Sequence, residues 1–279
     1  EPTGASLDLA AGNVVIATGA KPRPLPGNPF AGALIDSTQA LEVNEFPSSA
    51  VIIGAGAIAL EFASMWNAVG SQVTLLIRKN RVLSAWDRRA GTTLTRELKR
   101  RGVNVITHTI VTHVDTGANL GATVHYTREG QDGEQSVWGE IALAAIGRTP
   151  VADPSWGVAL TESGHVVTDA FGRTNKSGIW AVGDVTPGHA LAHRAFEQGI
   201  VIAETIAGLN PKPVDENTVP QIVFSSPEAA SVGLTIEQAQ ARENLLEVKE
   251  TIYPMLANAR MLMSGTAGSL TIVSGCDAA

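Results

Sequence analysis

The chain has 279 residues, a formal net charge of −7, and hydrophobic and charged fractions of 44% and 17%. That much apolar material excludes disorder as the main state, and the acidic balance argues against a nucleic-acid or anionic-membrane partner. A single cysteine, Cys276, excludes an internal disulfide framework and any cysteine-rich zinc site, and the longest apolar-plus-glycine run, Ala50 to Leu60, is too short for a membrane span.

Val14 to Ala17 reads as a short buried strand closed by Thr18-Gly19-Ala20, and a connector rich in proline (Pro22, Pro24, Pro26, Pro29) follows. Strand then alternates with helix, the pattern of a parallel sheet covered by helices. Val51 to Ile53 is a strand, Ile58 to Ala68 a helix stopped by Gly70, and Val73 to Ile77 a second strand. A polar helix from about Gly91 to Arg101 leads to a third strand, Val103 to Ile106. Val111 to Val114, Ala122 to Tyr126 and Ser136 to Trp138 read as an antiparallel meander. Ile141 to Ile146 and Ile179 to Val182 return as buried strands, and Leu191 to Ala207 is a helix. After Pro211-Lys212-Pro213 comes an α+β segment: Gln221 to Phe224, a helix at Thr235 to Arg242 with a Thr235/Gln238 capping box, Val248 to Tyr253 and Ser269 to Val273.

The sharpest motif is Gly54-Ala55-Gly56-Ala57-Ile58-Ala59, directly after a strand and opening a helix. In the G-x-G-x-x-A dinucleotide fingerprint the first glycine makes the turn, the second lets the backbone approach a pyrophosphate, and the alanine allows close helix packing. The helix N-terminus then offers free N–H groups to phosphate. At the end of the next strand no carboxylate is present to meet a ribose 2′-hydroxyl; Arg78, Lys79 and Arg81 stand there instead. Such a run also suits a solvated face, but its position favours a 2′-phosphate and hence NADPH. The six histidines (His108, His113, His125, His165, His189, His193) show no metal-ligand spacing backed by carboxylates or cysteines and read as ordinary surface or packed residues, so no metal site is expected. Cys276 reads as an inert thiol.

Four segments together resemble the flavin-dependent pyridine nucleotide-disulfide oxidoreductases: Ile16 to Arg23, the fingerprint running to Glu61, Ala144 to Pro150, and Thr174 to Asp184. Within that family, Gly188 to His193 resembles the dihydrolipoamide dehydrogenases, and Val219 to Thr235 looks like the start of the interface domain. The resemblance implies an α/β fold with Rossmann-like FAD- and NAD(P)-binding domains and a truncated α+β interface (dimerisation) domain. The divisions expected are 1–35 (end of the first half of the FAD domain and connector), 36–147 (NAD(P) domain), 148–214 (returning FAD part) and 215–279 (interface).

The implied activity moves electrons between a dithiol or disulfide, FAD and NAD(P), with a small-molecule or lipoyl-domain dithiol as substrate. The implied roles give Thr18, Asp184 and Ala192 to the flavin, Glu61 to the nicotinamide neighbourhood, and Gly147, Gly54, Ala55, Gly56, Ala57 and Ile58 to the NAD(P) cleft. The parent is expected to be a cytoplasmic homodimer without nucleic-acid or membrane partners.

Departures from the pattern temper this. Ile77 stands where dihydrolipoamide dehydrogenases carry a glutamate, and Val151 where an asparagine is usual. The N-terminal FAD fingerprint, the redox cysteine pair and the C-terminal His-Glu pair are absent from these residues. The chain, which lacks an initiator methionine and a signal peptide, is therefore expected to be a fragment that is inactive by itself, with an open flavin half-site and weak self-association. An NADPH-dependent disulfide, quinone or mercuric reductase, or a non-catalytic dinucleotide-binding module, is the alternative reading.

Overall fold

The computed structural model describes residues 8–117, 120–265 and 268–277; the expectations that touch residues 1–7 and 278–279 lie outside the described residues. In chain order the elements begin with β1 (Val14–Ile16), β2 (Ala20–Pro22), β3 (Leu34–Ile35), α1 (Ser37–Leu41), β4 (Ser49–Ile53), α2 (Ala57–Ala68), β5 (Gln72–Leu76) and α3 (Arg88–Arg100). They continue with β6 (Asn104–Ile106), β7 (Thr109–Asp115), β8 (Ala122–Arg128), β9 (Gln135–Gly139), β10 (Ile141–Ala144), β11 (Arg148–Pro150), β12 (Ile179–Ala181) and α4 (Ala192–Ile206). The last are β13 (Gln221–Val223), β14 (Ala229–Ser231), α5 (Ile236–Gln240), β15 (Leu245–Pro254), α6 (Ala259–Ser264) and β16 (Ser269–Asp277).

A five-stranded parallel sheet in the order β3-β10-β4-β5-β6 forms the centre. Both faces are covered, as parallel sheets require. Alternate residues sort to the two sides. Ala50 and Ile52 of β4 join α2 and α3 in one core, with Leu60, Trp66, Leu94 and Leu98. Val51 and Ile53 face the other way and pack on Ala122, Val124 and Tyr126 of the antiparallel meander β7-β8-β9. The layers are thus helices, parallel sheet, meander.

Helix α2 buries Ala59, Leu60, Phe62, Ala63 and Trp66, a stripe at three- and four-residue spacing that keeps one side on the sheet. Asp87 caps α3 through Ala90 N (2.9 Å), and Lys99 and Arg100 occupy its last turn, where the helix dipole favours cations. The sequence reading passes over two small elements here. Strand β3 has only two residues, too few to show a period, and α1 rests on a capping box between Asp36 and Gln39.

A smaller core gathers Ile16, Val158, Val166, Ala181 and Val185 around the parallel pair β1-β12. Beyond α4, β13 pairs with β14, and β15 with β16 in a long hairpin. The capping box at the start of α5 forms as expected, with Thr235 and Gln238 exchanging hydrogen bonds. Among the described residues no helix is long and apolar enough to cross a membrane.

Candidate dinucleotide and flavin sites

The carboxyl ends of β10, β4 and β5 lie side by side, locked by Ala145 N donating to Ile53 O (2.8 Å) and Gly54 N to Leu76 O (3.1 Å). From β4 the chain steps outward through β5 and β6 and then returns by β10 on the other side of β4, so the strand order switches between β4 and β10. Crevices at such a switch point are where open α/β sheets bind ligands.

Gly54 makes the turn from β4 into α2 with φ of +143°, and a Cβ there would sit 2.2 Å from the Ala145 carbonyl oxygen. No other residue fits without moving β10. The same hypothetical Cβ lies 3.4 Å from Ala59, so the small side chain at the third fingerprint position keeps the helix close to the strand. Gly56, at the N-cap of α2, is different: its conformation is ordinary, and nothing lies within 4 Å of where its Cβ would be. That emptiness is room for a ligand beside the backbone. No side chain caps the helix and no acid sits in its first turn, so the N–H groups of Ala57, Ile58 and Ala59 present an uncompensated positive end. Ala55 contributes its carbonyl to Leu83 N (2.9 Å), which ties the following loop over the turn.

Arg78 and Lys79 follow the fully buried Ile77 and are both exposed at the end of β5. Arg81 behaves differently. It is half-buried, with its Cδ against Gly91 of α3 and its Nη2 donating to Ser84 O (3.3 Å), while its buried Nε lacks a partner. It braces the loop between β5 and α3, and two of the three cations remain free to meet a phosphate.

The Glu61 carboxylate accepts a hydrogen bond from Phe224 N (2.9 Å), and Ser64 Oγ accepts one from Ser226 N (3.1 Å). These bonds fasten α2 to the loop after β13, whose Val223 joins the main core. Gly147, exposed beyond β10, accepts from Arg23 N (3.0 Å).

The flavin candidates gather around the β1-β12 pair. Thr18 follows β1 and donates its hydroxyl to Val151 O. Asp184, in the helical turn after β12, lies 3.7 Å from Arg148 Nε, and Arg148 also donates to Ala20 O. Ala192 is the exposed first residue of α4, another helix whose N-terminus no side chain caps. Two contributors escaped the sequence reading. Arg148 ties β11 and β2 to Asp184, and the buried Arg194 ties the first turn of α4 to Glu216 (2.5 Å) and Pro187 O. Arginine in a turn carries no sign of which distant carboxylate it will reach.

This geometry is that of an α/β protein with two candidate sites, an uncapped helix end behind a parallel strand at one and a small parallel pair with a carboxylate at the other. A family model described as pyridine nucleotide-disulphide oxidoreductase matches residues 2–199, and its dimerisation domain matches residues 219–275. The chain belongs to the pyridine nucleotide-disulphide oxidoreductase family, whose members use FAD and NAD(P).

It is 36% identical over 266 residues to the dihydrolipoyl dehydrogenase of Geobacillus stearothermophilus, covering 94% of this chain and 55% of the relative. The crystal structure of LpdA from Mycobacterium tuberculosis superposes with a TM-score of 0.84 at 28% identity, covering 96% of this chain and 57% of that one. The HOCl-induced flavoprotein disulfide reductase RclA from Escherichia coli gives 0.82 at 27%, covering 94% and 60%. The chain spans about half the length of the curated relatives it matches.

Proposed function

We propose that this chain supplies the NAD(P) site, part of the FAD site and the interface region of a flavin-dependent oxidoreductase of the dihydrolipoyl dehydrogenase type. Residues 36–147 bind the nicotinamide dinucleotide, 1–35 with 148–214 hold one side of the flavin, and 215–279 form the two-fold interface of a homodimer. The observation that carries the reading is the paired behaviour of the two fingerprint glycines: one filled against Ala145, the other open toward the crevice.

The residues fit both groups. The N–H groups of Ala57 and Ile58 would receive the nucleotide pyrophosphate, with Gly56 allowing its approach and Gly147 lining the cleft. Asp184, held by Arg148, accepts from the flavin ribityl chain, and the α4 N-terminus at Ala192 meets the ring system. Bound, the flavin and nicotinamide supply the hydride chemistry; the protein aligns them and excludes water. Glu61, near the nicotinamide, keeps its carboxylate oriented through the Phe224 N–H. The dithiol substrate, a small molecule or a lipoyl domain, and the cytosol as its compartment follow from the resemblance to dihydrolipoyl dehydrogenases.

NADPH is the preferred nucleotide, because Arg78 and Lys79 are exposed at the strand end and no carboxylate competes there. Losing one charge-assisted contact costs about 1.5–3 kcal/mol, roughly ten- to hundredfold in affinity. Calorimetric titration of NADPH and NADH against the wild type, Gly56→Val and Arg78→Ala tests this. Gly56→Val is expected to keep its circular dichroism and lose at least about tenfold in affinity for both nucleotides, since its side chain enters open space used by the ligand. Arg78→Ala is expected to lose affinity for NADPH only. Absence of binding by the wild type overturns the site; equal losses for the two nucleotides in Arg78→Ala overturn the preference.

A further inference from the structure

On the solvent face of the meander, four side chains that the nucleotide site does not use come together. Strand register sets His113 of β7 opposite His125 of β8, and their imidazoles stack with centroids 3.9 Å apart and planes within 10° of parallel. Asp115, two residues beyond His113 and so on the same face, brings Oδ2 to 3.1 Å from His125 Nε2 and 3.7 Å from His113 Nε2.

On the other side of the rings, Glu134 turns its carboxylate toward both Nδ1 atoms, 3.5 Å from that of His125 and 3.9 Å from that of His113. A bulge between Val111 and His113 leaves Thr112 as the extra residue, and its hydroxyl donates to Glu134 Oε1 (2.6 Å), which fixes that carboxylate in place.

The chemistry of this arrangement is directional. A neutral imidazole carries one N–H. His125 Nε2 lies at hydrogen-bond distance from Asp115 Oδ2, and the Thr112 hydroxyl oxygen lies 3.4 Å from His113 Nδ1, between that ring and Glu134. A proton on His125 Nε2 satisfies Asp115 there, and a divalent cation can take that proton's place, met by a nitrogen of each ring and by the carboxylate. A carboxylate behind the far nitrogen is also the usual means of orienting a metal-binding histidine and raising its basicity.

We propose that His113, His125 and Asp115 bind a late first-row divalent transition-metal ion, with Glu134 as the positioning carboxylate. One ring nitrogen from each histidine and one Asp115 oxygen lie within 4.8 Å of one another. Ligands of a tetrahedral zinc site are roughly 3.3 Å apart, so the rings splay from their parallel stack as the ion enters. Two imidazoles and a carboxylate suit Zn²⁺, Ni²⁺ or Cu²⁺, whereas Mg²⁺ and Ca²⁺ prefer oxygen ligands. The side chains of His113 and His125 are 45% and 22% exposed, so the ion has a path in and water completes its coordination. Bound, it clips β7 to β8, and through Glu134 to the start of β9.

Zinc chloride titrated calorimetrically into the full chain tests the site, with Cys276→Ser in every protein so that the thiol does not compete and MgCl₂ as the control ion. The wild-type cluster is expected to take one Zn²⁺ per chain, with a rise in thermal midpoint, and to leave Mg²⁺ unbound. His113→Gln, His125→Gln and Asp115→Asn are each expected to weaken Zn²⁺ at least tenfold and to abolish the thermal shift. Glu134→Gln is expected to weaken it about tenfold at unchanged stoichiometry. All four changes lie on a solvent face, and circular dichroism verifies that each variant is folded. No stoichiometric Zn²⁺ binding, equal affinity for Mg²⁺, or Zn²⁺ binding unchanged in both histidine variants overturns the proposal.

Discussion

Val51-Ile52-Ile53 in β4 and Leu270-Thr271-Ile272-Val273 in β16 are similar runs, and both form strands, yet their surroundings are opposite. Ile52 is fully buried, whereas Ile272 is 51% exposed. Strand β4 has a hydrogen-bonded neighbour on each side, helices over one face and the meander over the other. Among the described residues β16 pairs only with β15, and Leu246, Ile252, Tyr253 and Leu270 of that hairpin are exposed too. Local sequence suffices to extend the backbone. Burial needs layers on both faces, and those come from residues far away in the chain.

Parallel truncations in the two strands test this contrast with the largest effect. Ile52→Ala is expected to destabilise by about 3–4 kcal/mol, because the methylenes leave a cavity between α2 and the sheet. Ile272→Ala is expected to cost under about 1 kcal/mol, since water already reaches its side chain. Urea unfolding of both variants measures the difference. Equal losses break the comparison by showing that the hairpin is buried in solution.

A smaller effect is expected where α2 is fastened to the loop after β13. Glu61→Ala removes the acceptor for Phe224 N–H and is expected to cost about 1–2 kcal/mol. Amide hydrogen exchange is expected to speed up around Phe224 and Ser226 while β4 and β5 stay protected. Uniform acceleration through the sheet denies that this junction opens separately.

The smallest effect sharpens the picture of the sheet itself, at the end away from Gly54. Glu140 accepts from Ser48 N (2.7 Å) and Ser48 Oγ (2.9 Å), pinning the starts of β10 and β4 together. The Ser48 amide, and then its hydroxyl, hold the Glu140 carboxyl below the usual carboxylate range. A lowered folded value means that the stabilisation is present above the ordinary glutamate range and is lost as the pH falls through the lowered value. Because the group is exposed, Glu140→Gln is expected to cost no more than about 0.5 kcal/mol at neutral pH. That cost vanishes in acid; one that persists there refers to packing and not to the carboxylate.

Legibility in the sequence followed the range of each constraint. The turn at Gly54 and the helix after it were readable because a strand, a tight turn and a helix start are specified within eleven residues. The Thr235/Gln238 box was readable for the same reason. Arg78, Lys79 and Arg81 form one basic run in the sequence, and only the tertiary structure shows that Arg81 turns inward, against Gly91 of α3. Glu61 gave no sign that a backbone amide 163 positions later would hold it. The histidine cluster was hidden twice over. His113 and His125 have no ligand spacing along the chain, and a bulge that the sequence does not mark sets both their register and the direction of Thr112.

By itself, then, the sequence determined where the backbone turns, which segments are strand and which helix, and that a helix N-terminus follows Gly56. These depend on φ, on hydrogen bonds a few residues apart and on periodicity, all of which are written locally. Only the tertiary structure decided which apolar strands are covered, which arginines turn inward and which imidazoles meet. Those outcomes depend on contacts between segments separated by tens to more than a hundred residues, and a long flexible side chain or a strand register settles only when the surface opposite is in place.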